Sequence, residues 1–476
     1  MSVRVGKAAE APTFSTAARG ILGNTQLRHN VRHATDMIRA RRAHVVAETP
    51  DWQQLRDSAR AIKDHVLRHL EAYLEQFETA CTAAGGKVHW ARDADEANSA
   101  IIDIIRAHGG TEVIKVKTMT SDETGLNPAL QAAGITPIET DLADLIIQLG
   151  SDKPSHIVVP ALHRNKAEIR RLFMEKMNLP ELGECAEDLA GAARRYLRER
   201  FLRVPVGLSG ANFAIAESGS LCVVESEGNG RMCVSLPKVL VSLVGIEKII
   251  PTFGDLEVFL QLLGRSATGE RMNPYNSIWS GVTAGDGPSE FHVVLLDNGR
   301  TGVLDSPETR ATLACIRCGA CLNICPVYRQ TGGHAYGSIY AGPIGAIVTP
   351  QLQSMKHSQS LPYASTLCGA CYDVCPVKID IPEILLHLRN QVVKGHGATW
   401  GEWLAMKFAA GAFKNGGRLG TAQKLARIAQ KPYVHSGTID RLPGMLKNWT
   451  RFRDLSPVPA QSFRQWWAAR QPKETK

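Results

Sequence analysis

The sequence predicts an α/β domain with a largely parallel sheet, followed in line by a small cysteine-rich helical domain and a helical C-terminal tail. Three observations predict it. Between residues 85 and 300 short apolar strands alternate with helical patterns, as in sheets whose successive strands are joined by crossover helices. Seven of the eleven cysteines fall within residues 315–375. Residues 391–476 carry 15 Lys and Arg against 4 Asp and Glu, a balance of +11, so the preceding 390 residues contribute −2 to the chain's net +9. A chain of 476 residues exceeds what a single core usually serves. It divides here into an N-terminal arm and helix (1–50), an α/β domain with a leading helix (51–300), a cysteine-rich domain (301–390) and a basic tail (391–476).

Residues 1–15 lack periodicity, and 16–46 read as a helix with Arg39, Arg41 and Arg42 near its end, where cations suit the helix dipole. No nucleic-acid-binding motif accompanies that cluster, so no nucleic-acid partner is expected. After Pro50, Trp52, Leu55, Ala59, Ile62, Val66, Leu70, Tyr73 and Phe77 recur at steps of three and four, which predicts one long helix laying its stripe on a core. Strands are expected at 87–91, 113–116, 135–139 and 156–160, with helices over 95–108, 121–133, 142–149, 166–177 and 183–201. The segment 207–225, GLSGANFAIAESGSLCVVE, reads as two strands flanking Ser218-Gly219, its glycines freeing the backbone for turns. Further strands are expected at 239–244, 278–282 and 291–296, a helix over 255–263, and a last helix over 384–389 introduced by Ile381-Pro382.

Several classes are excluded. No apolar run reaches the 18 residues a membrane span needs, and residues 1–20 hold no apolar core of signal-peptide length. The expected location is the cytoplasm. Five of the eight tryptophans (Trp400, Trp403, Trp449, Trp466, Trp467) lie in the basic tail, which suits docking on a protein partner or peripheral contact with the anionic inner face of a membrane. Residues 395–401, GHGATWG, are one residue too long for a dinucleotide-binding GxGxxG and follow no strand. No P-loop, HExxH or adjacent cysteine pair is present. Cys81, Cys185, Cys222 and Cys233 are scattered and read as buried small hydrophobes.

The chemistry concentrates in residues 315–326, CIRCGACLNICP, and 368–376, CGACYDVCP. The run CxxCxxCxxxCP is the spacing that holds a [4Fe-4S] cluster, with the fourth cysteine ligating a second cluster. The crossed pattern gives the first cluster Cys315, Cys318, Cys321 and Cys375, and the second Cys325, Cys368 and Cys371. The position where the second would find its fourth cysteine is Ser365. An oxygen or water ligand, a [3Fe-4S] form, or a remote thiol such as Cys222 or Cys233 are the alternatives. A zinc site would use four ligands, and seven are here. Two clusters in one small domain make an electron relay.

In the α/β part, Lys117, Thr118 and Met119 follow one strand, Glu139, Thr140 and Asp141 another, and His163 a third, where ligands of open α/β sheets bind. Glu217, Glu225 and Arg231 are weaker candidates from the glycine-rich segment. No catalytic residue is assigned.

Taken together, LEAYLEQFE (70–78), GGKVHWARDADEA (85–97), ETDLADLIIQL (139–149), PSHIVVPALH (154–163), GANFAIAESGSL (210–221), residues 315–350, LCGACYDVCPVKIDIPEILL (367–386) and RFRDLSPVPAQSFRQWW (451–467) resemble the lactate utilisation protein B family, the iron-sulfur proteins of a three-component bacterial L-lactate oxidation system. The resemblance covers nearly the whole chain. It implies a lactate-utilisation (LUD) domain of the NagB/RpiA/CoA-transferase-like α/β fold over about residues 70–300, and two clusters ligated as above. It further implies electron transport during oxidation of L-lactate to pyruvate, alongside a cysteine-rich subunit and a second LUD-domain subunit, with a quinone or other molecule as acceptor. Where a KSM-type stretch would be expected, this chain reads VKTM at 116–119. Two other functions stay open: oxidation of a 2-hydroxy acid by the α/β domain itself, and service as the iron-sulfur subunit of a glycolate-type oxidase.

Overall fold

The computed structural model describes residues 12–395 and 400–470. Ten strands are present among them: β1 (Lys87–Ala91), β2 (Glu112–Lys115), β3 (Thr136–Glu139), β4 (Val206–Ser209), β5 (Phe213–Ile215), β6 (Ser220–Glu225), β7 (Val239–Gly245), β8 (Ile249–Ile250), β9 (Tyr275–Trp279) and β10 (Glu290–Leu296). Six form a wholly parallel sheet in the order β1-β10-β7-β4-β2-β3. The other four form a mixed sheet, β8-β5-β6-β9, built on the predicted hairpin around Ser218-Gly219.

Strand β7 shows why the parallel sheet forms. Its sequence VLVSLVG is apolar almost throughout and every residue is buried, as expected for a strand covered on both faces. Val239, Val241 and Leu243 face the helices Ala94–Ala107 and Leu126–Ala132, while Leu240 and Val244 face the helix Leu70–Ala83 and the small sheet. The helices Leu142–Leu149, Lys166–Lys176 and Ala186–Arg203 bury a separate core beside β3.

The structure corrects several expectations. Residues 16–46 form two helices, Phe14–Ile21 and Thr25–Ala47; the Asn24 side chain accepts from the Leu27 amide at 3.0 Å and starts the second. The long stripe from Trp52 is likewise divided into Trp52–Arg68 and Leu70–Ala83, because His69 leaves helical geometry (φ −123°, ψ 31°). Gly125, at φ +65°, splits 121–133 into Met119–Glu123 and Leu126–Ala132. The strand expected at 278–282 lies earlier, at β9, and the helix Asn229–Ser235 had no clear signal.

Residues 156–160 are not a strand. The Val158 and Val159 amides both donate to His156 Nδ1 at 3.0 Å, and the Ser155 amide donates to the Pro160 carbonyl at 2.9 Å, so the chain folds back on itself. Cys185 is exposed rather than buried, its sulfur capping the helix Ala186–Arg203. Cys81, Cys222 and Cys233 are buried.

Among the described residues, those up to Val392 form one compact unit and those from Val393 another. Inside the first, a buried charge network joins the end of β7 to the cysteine-rich segment. Glu247 accepts from Arg300 Nε at 2.5 Å and lies 3.7 Å from Arg317 Nη2; Arg300 also donates to Glu123 at 2.8 and 3.0 Å. Tyr340 OH donates to Glu123 at 2.6 Å, and Lys63 Nζ to the Glu247 carbonyl at 2.5 Å. In the second unit the helices Trp400–Phe413 and Gly416–Ala429 contain no buried residue.

Burial alone would raise the Glu247 carboxyl, but Arg300, Lys248 and Arg317 override it and hold it down to about 2. Removing the charge leaves buried Arg317 without a carboxylate and Arg300 with Glu123 alone, so Glu247→Gln is expected to cost about 3–5 kcal/mol at neutral pH, measured by denaturant unfolding. With the folded carboxyl held below its ordinary 4.5, its contribution is present above that value and is lost as pH falls toward 2. The gap between the two proteins should therefore narrow over that interval.

Candidate metal centre and adjoining cavity

The two cysteine segments repeat one backbone design. Each has a residue in left-handed conformation (Arg317, φ 59°; Leu367, φ 54°), then a cysteine, then a left-handed glycine (Gly319, φ 75°; Gly369, φ 84°). Each continues into a five-residue helix, Ala320–Ile324 or Ala370–Val374, that ends on Cys325-Pro326 or Cys375-Pro376. Successive left-handed turns aim backbone amides into a concave nest.

The fold crosses the two segments. Cys315, Cys318, Cys321 and Cys375 line one small apolar cavity together with Ile344, Val377 and other aliphatic groups. Cys325, Cys368 and Cys371 form a second cluster of mutually interacting thiols. Backbone amides face the sulfurs: Arg317 N lies 3.4 Å from Cys315 Sγ and Ile379 N 3.3 Å from Cys375 Sγ.

Burial pushes the Cys318 and Cys371 thiols up to about 12, that of Cys375 to about 11, and that of Cys321 well above its ordinary value. Cys368, which is exposed, is lowered instead, by the Ala370 amide and the Thr366 hydroxyl. Several soft donors crowded into an apolar cavity cannot all ionise beside one another; a cationic centre would permit it. The donor set therefore fits iron-sulfur clusters, which thiolates hold and whose potentials respond to amide hydrogen bonds.

Arginines from the helices Thr25–Ala47 and Trp52–Arg68 pin this region. Arg56 donates to the Cys375 carbonyl at 2.9 Å and the Tyr372 carbonyl at 3.2 Å, Arg42 to the Val374 carbonyl at 3.1 Å, and Arg60 to the Lys378 carbonyl at 2.8 Å. On the other side, His156 Nδ1 accepts two amides, so its Nε2 carries the proton and donates to Asn323 Oδ1 at 3.2 Å. The folded-back segment is thus a wall of the cysteine-rich region: Tyr328 OH donates to the Ser155 carbonyl at 2.7 Å.

A cavity of about 200 Å³ opens beyond the carboxyl ends of β2 and β4. Lys117, Thr118, Met119, Asp141 and Glu225 line it, as the sequence suggested, together with Lys248 and Arg317, which it did not. Arg317 lines both this cavity and the four-cysteine one. Burial lowers Lys248 to about 8, and burial with Asp144 raises Asp141 to about 7. The other candidates lie elsewhere. Glu139 pairs with buried Lys115 at 2.6 Å, Thr140 donates to the Lys115 carbonyl at 2.9 Å, and His163 bonds Asp152 at 3.0 Å. Glu217 accepts from the Phe253 amide at 2.6 Å, and Arg231 stacks on Tyr275. A signal for Lys248 did exist, in the polar pair Glu247-Lys248 just past an almost wholly apolar strand.

Three family models match the chain in series: the LUD domain over residues 74–296, the 4Fe-4S dicluster domain over 311–379, and the C-terminal region of lactate utilisation protein B over 387–472. The chain is 42% identical to lactate utilization protein B of Bacillus licheniformis, over 94% of this chain and 95% of that one. It is 41% identical to the Bacillus subtilis protein of the same name, over 95% of each. An uncharacterized electron transport protein of Escherichia coli, YkgF, is 42% identical over 97% of this chain and 98% of its own.

The two left-handed glycines offer an internal comparison. A Cβ on Gly319 would meet His156 Cε1 at 3.1 Å and Val158 Cγ2 at 3.3 Å, whereas one on Gly369 meets nothing within 4 Å. Gly369→Ala should cost only the conformational term, about 1–2 kcal/mol. Gly319→Ala should cost more in the same unfolding assay, because the wall built on His156 must also shift.

Proposed function

The chain belongs to the lactate utilisation protein B family, and on that premise we propose that it is an iron-sulfur electron-transfer protein serving the oxidation of L-lactate to pyruvate. Cys315, Cys318, Cys321 and Cys375 would hold one [4Fe-4S] cluster, and Cys325, Cys368 and Cys371 a second. The observation that carries this is the crossing of the segments: Cys375 joins three sulfurs more than fifty positions earlier around one apolar cavity. Bound there, the clusters would supply two one-electron carriers, matching the two electrons that leave a 2-hydroxy acid as it becomes a 2-oxo acid.

The protein's own residues exclude water and hold charge. Aliphatic side chains seal the first site, backbone amides face its sulfurs, and Arg42 and Arg56 set positive charge beside the Cys375 turn. Partner subunits of the lactate system, a cysteine-rich protein and another LUD-domain protein, would dock in part through residues 391–476. The helix Trp400–Phe413 is apolar apart from Glu402 and Lys407 yet has no buried residue, and Phe408 is 74% exposed. A helix of that pattern is ordinarily covered. No helix among the described residues is long and apolar enough to cross a membrane, so contact with a membrane-borne quinone acceptor would be peripheral.

One observation favours a second reading, in which the α/β domain itself binds the acid. Lys117, Lys248 and Arg317 bring three cations to the cavity at the strand ends, and Arg317 separates that cavity from the four cysteines.

The ligand assignment is tested on protein purified without oxygen. Wild type should carry iron and sulfide for two clusters and show two interacting signals by electron paramagnetic resonance (EPR) after reduction. Cys375→Ala should abolish the first cluster's signal and Cys325→Ala the second's, each sparing the other. Bound zinc without iron would refute the reading.

A further inference from the structure

The second group of cysteines is one donor short of the first, and the repeat shows what stands in the gap. Written from the first ligand position, the segments are Cys315-Ile-Arg-Cys318-Gly-Ala-Cys321, then Cys325-Pro326, and Ser365-Thr-Leu-Cys368-Gly-Ala-Cys371, then Cys375-Pro376. Among the ligand positions, the two differ only by oxygen for sulfur at 365. We infer that Ser365 Oγ is the fourth protein ligand of the second cluster, an inference that rests on the cluster assignment proposed above.

The backbone carries the argument. In the first segment the Arg317 amide donates to Cys315 Sγ at 3.4 Å; in the second, the Leu367 amide donates to Ser365 Oγ at 3.1 Å. The difference is about what a smaller acceptor atom requires. Every later bond of the turn recurs. Leu322 N to Gly319 O is 3.0 Å and Tyr372 N to Gly369 O 2.9 Å; Asn323 N to Gly319 O and Asp373 N to Gly369 O are both 3.3 Å; Cys325 N to Leu322 O and Cys375 N to Tyr372 O are both 3.1 Å. Since Cys375, which ends the second segment, completes the first site, the same exchange pairs Cys325 with Ser365. Ser365 is therefore the counterpart of Cys315 in position and hydrogen bonding.

The segment is also held in place by the protein itself. Arg389 donates to the Ser365 carbonyl at 3.2 Å and the Pro362 carbonyl at 2.8 Å, and its guanidinium lies over the Tyr363 ring. The remote thiols have other places. Cys233 Sγ is 3.3 Å from Thr140 Oγ1, Cys222 sits within β6 opposite Phe213 and Ile278, and Cys185 bonds Asp188. Thr366, the next hydroxyl, bonds Cys368 and matches Ile316 of the first segment, which is no ligand there.

A hard oxygen donor matches iron of a cluster less well than thiolate does, and Ser365 is only half-buried beside exposed Cys368. The iron at this corner is accordingly the one most easily lost. The test uses full-length protein purified anaerobically, with iron counts, EPR and Mössbauer spectra on wild type, Ser365→Ala, Ser365→Cys and Thr366→Ala. Ser365→Ala should lose about one iron per chain on brief exposure to air, several-fold faster than wild type, with a [3Fe-4S] signal appearing. Ser365→Cys should suppress that loss and shift the second cluster's potential, while Thr366→Ala, which loses only a hydrogen bond to Cys368, should retain its iron as wild type does. Wild-type iron retention and Mössbauer parameters in Ser365→Ala, or loss in Thr366→Ala alone, would overturn the inference. Wild type without two clusters would instead refute the assignment on which it rests.

Discussion

Much of this structure depends on one buried carboxylate. Glu247 lies immediately past β7, the central apolar strand, and is 2% exposed. Its carbonyl anchors Lys63 from a leading helix, and its carboxylate holds Arg300 and faces Arg317. Charges so deeply buried cost several kcal/mol each in desolvation and persist only where geometry and further hydrogen bonds compensate. Here the compensation comes from both sides of a boundary. Arg300 and Glu123 belong to the α/β part, and Arg317 and Tyr340 to the cysteine-rich part. The arrangement also turns the Arg317 side chain, stacked 4.5 Å from the Tyr340 ring centroid, toward the sheet while its neighbours Cys315 and Cys318 face their own cavity. One left-handed residue thus serves two sites.

The cysteine-rich region is an exchange of halves between two copies of one turn. Its consequence is unequal protection. The first group is sealed by Ile344, Val377, Ile379 and Ile381, whereas the second includes exposed Cys368. On the proposed cluster assignment, a more buried centre and a more open one would give a relay an inner and an outer end. The four-cysteine cavity adjoins the cavity at the strand ends through Arg317.

Sequence made the large features legible because they rest on local chemistry. The alternation of strands and helices, the hairpin at Ser218-Gly219 and the cysteine spacing are all periodic or short-range signals. Its failures came where tertiary contacts override pattern. SHIVVP has the composition of a buried strand, yet it folds around His156 because the cysteine-rich region needs a wall there. The stripe from Trp52 to Phe77 is continuous in apolar spacing, and only the bend at His69, invisible to periodicity, divides it. Of the cavity, the residues following β2 were found because the rule about strand ends is topological. Lys248 and Arg317 were missed because they reach it from segments over a hundred residues away in sequence.

On the proposed function, electrons from L-lactate reside on this chain's cysteine-held centres. This is tested most directly by freeze-quenched EPR of the anaerobic, oxidised protein mixed with L-lactate, with and without its partner subunits. Reduced-cluster signals should appear with the complete set of subunits at least as fast as pyruvate forms, and vanish when acceptor is added. Appearance without the partners would place oxidation in the α/β domain. Pyruvate formation while this chain's centres stay oxidised and EPR-silent throughout would contradict the account.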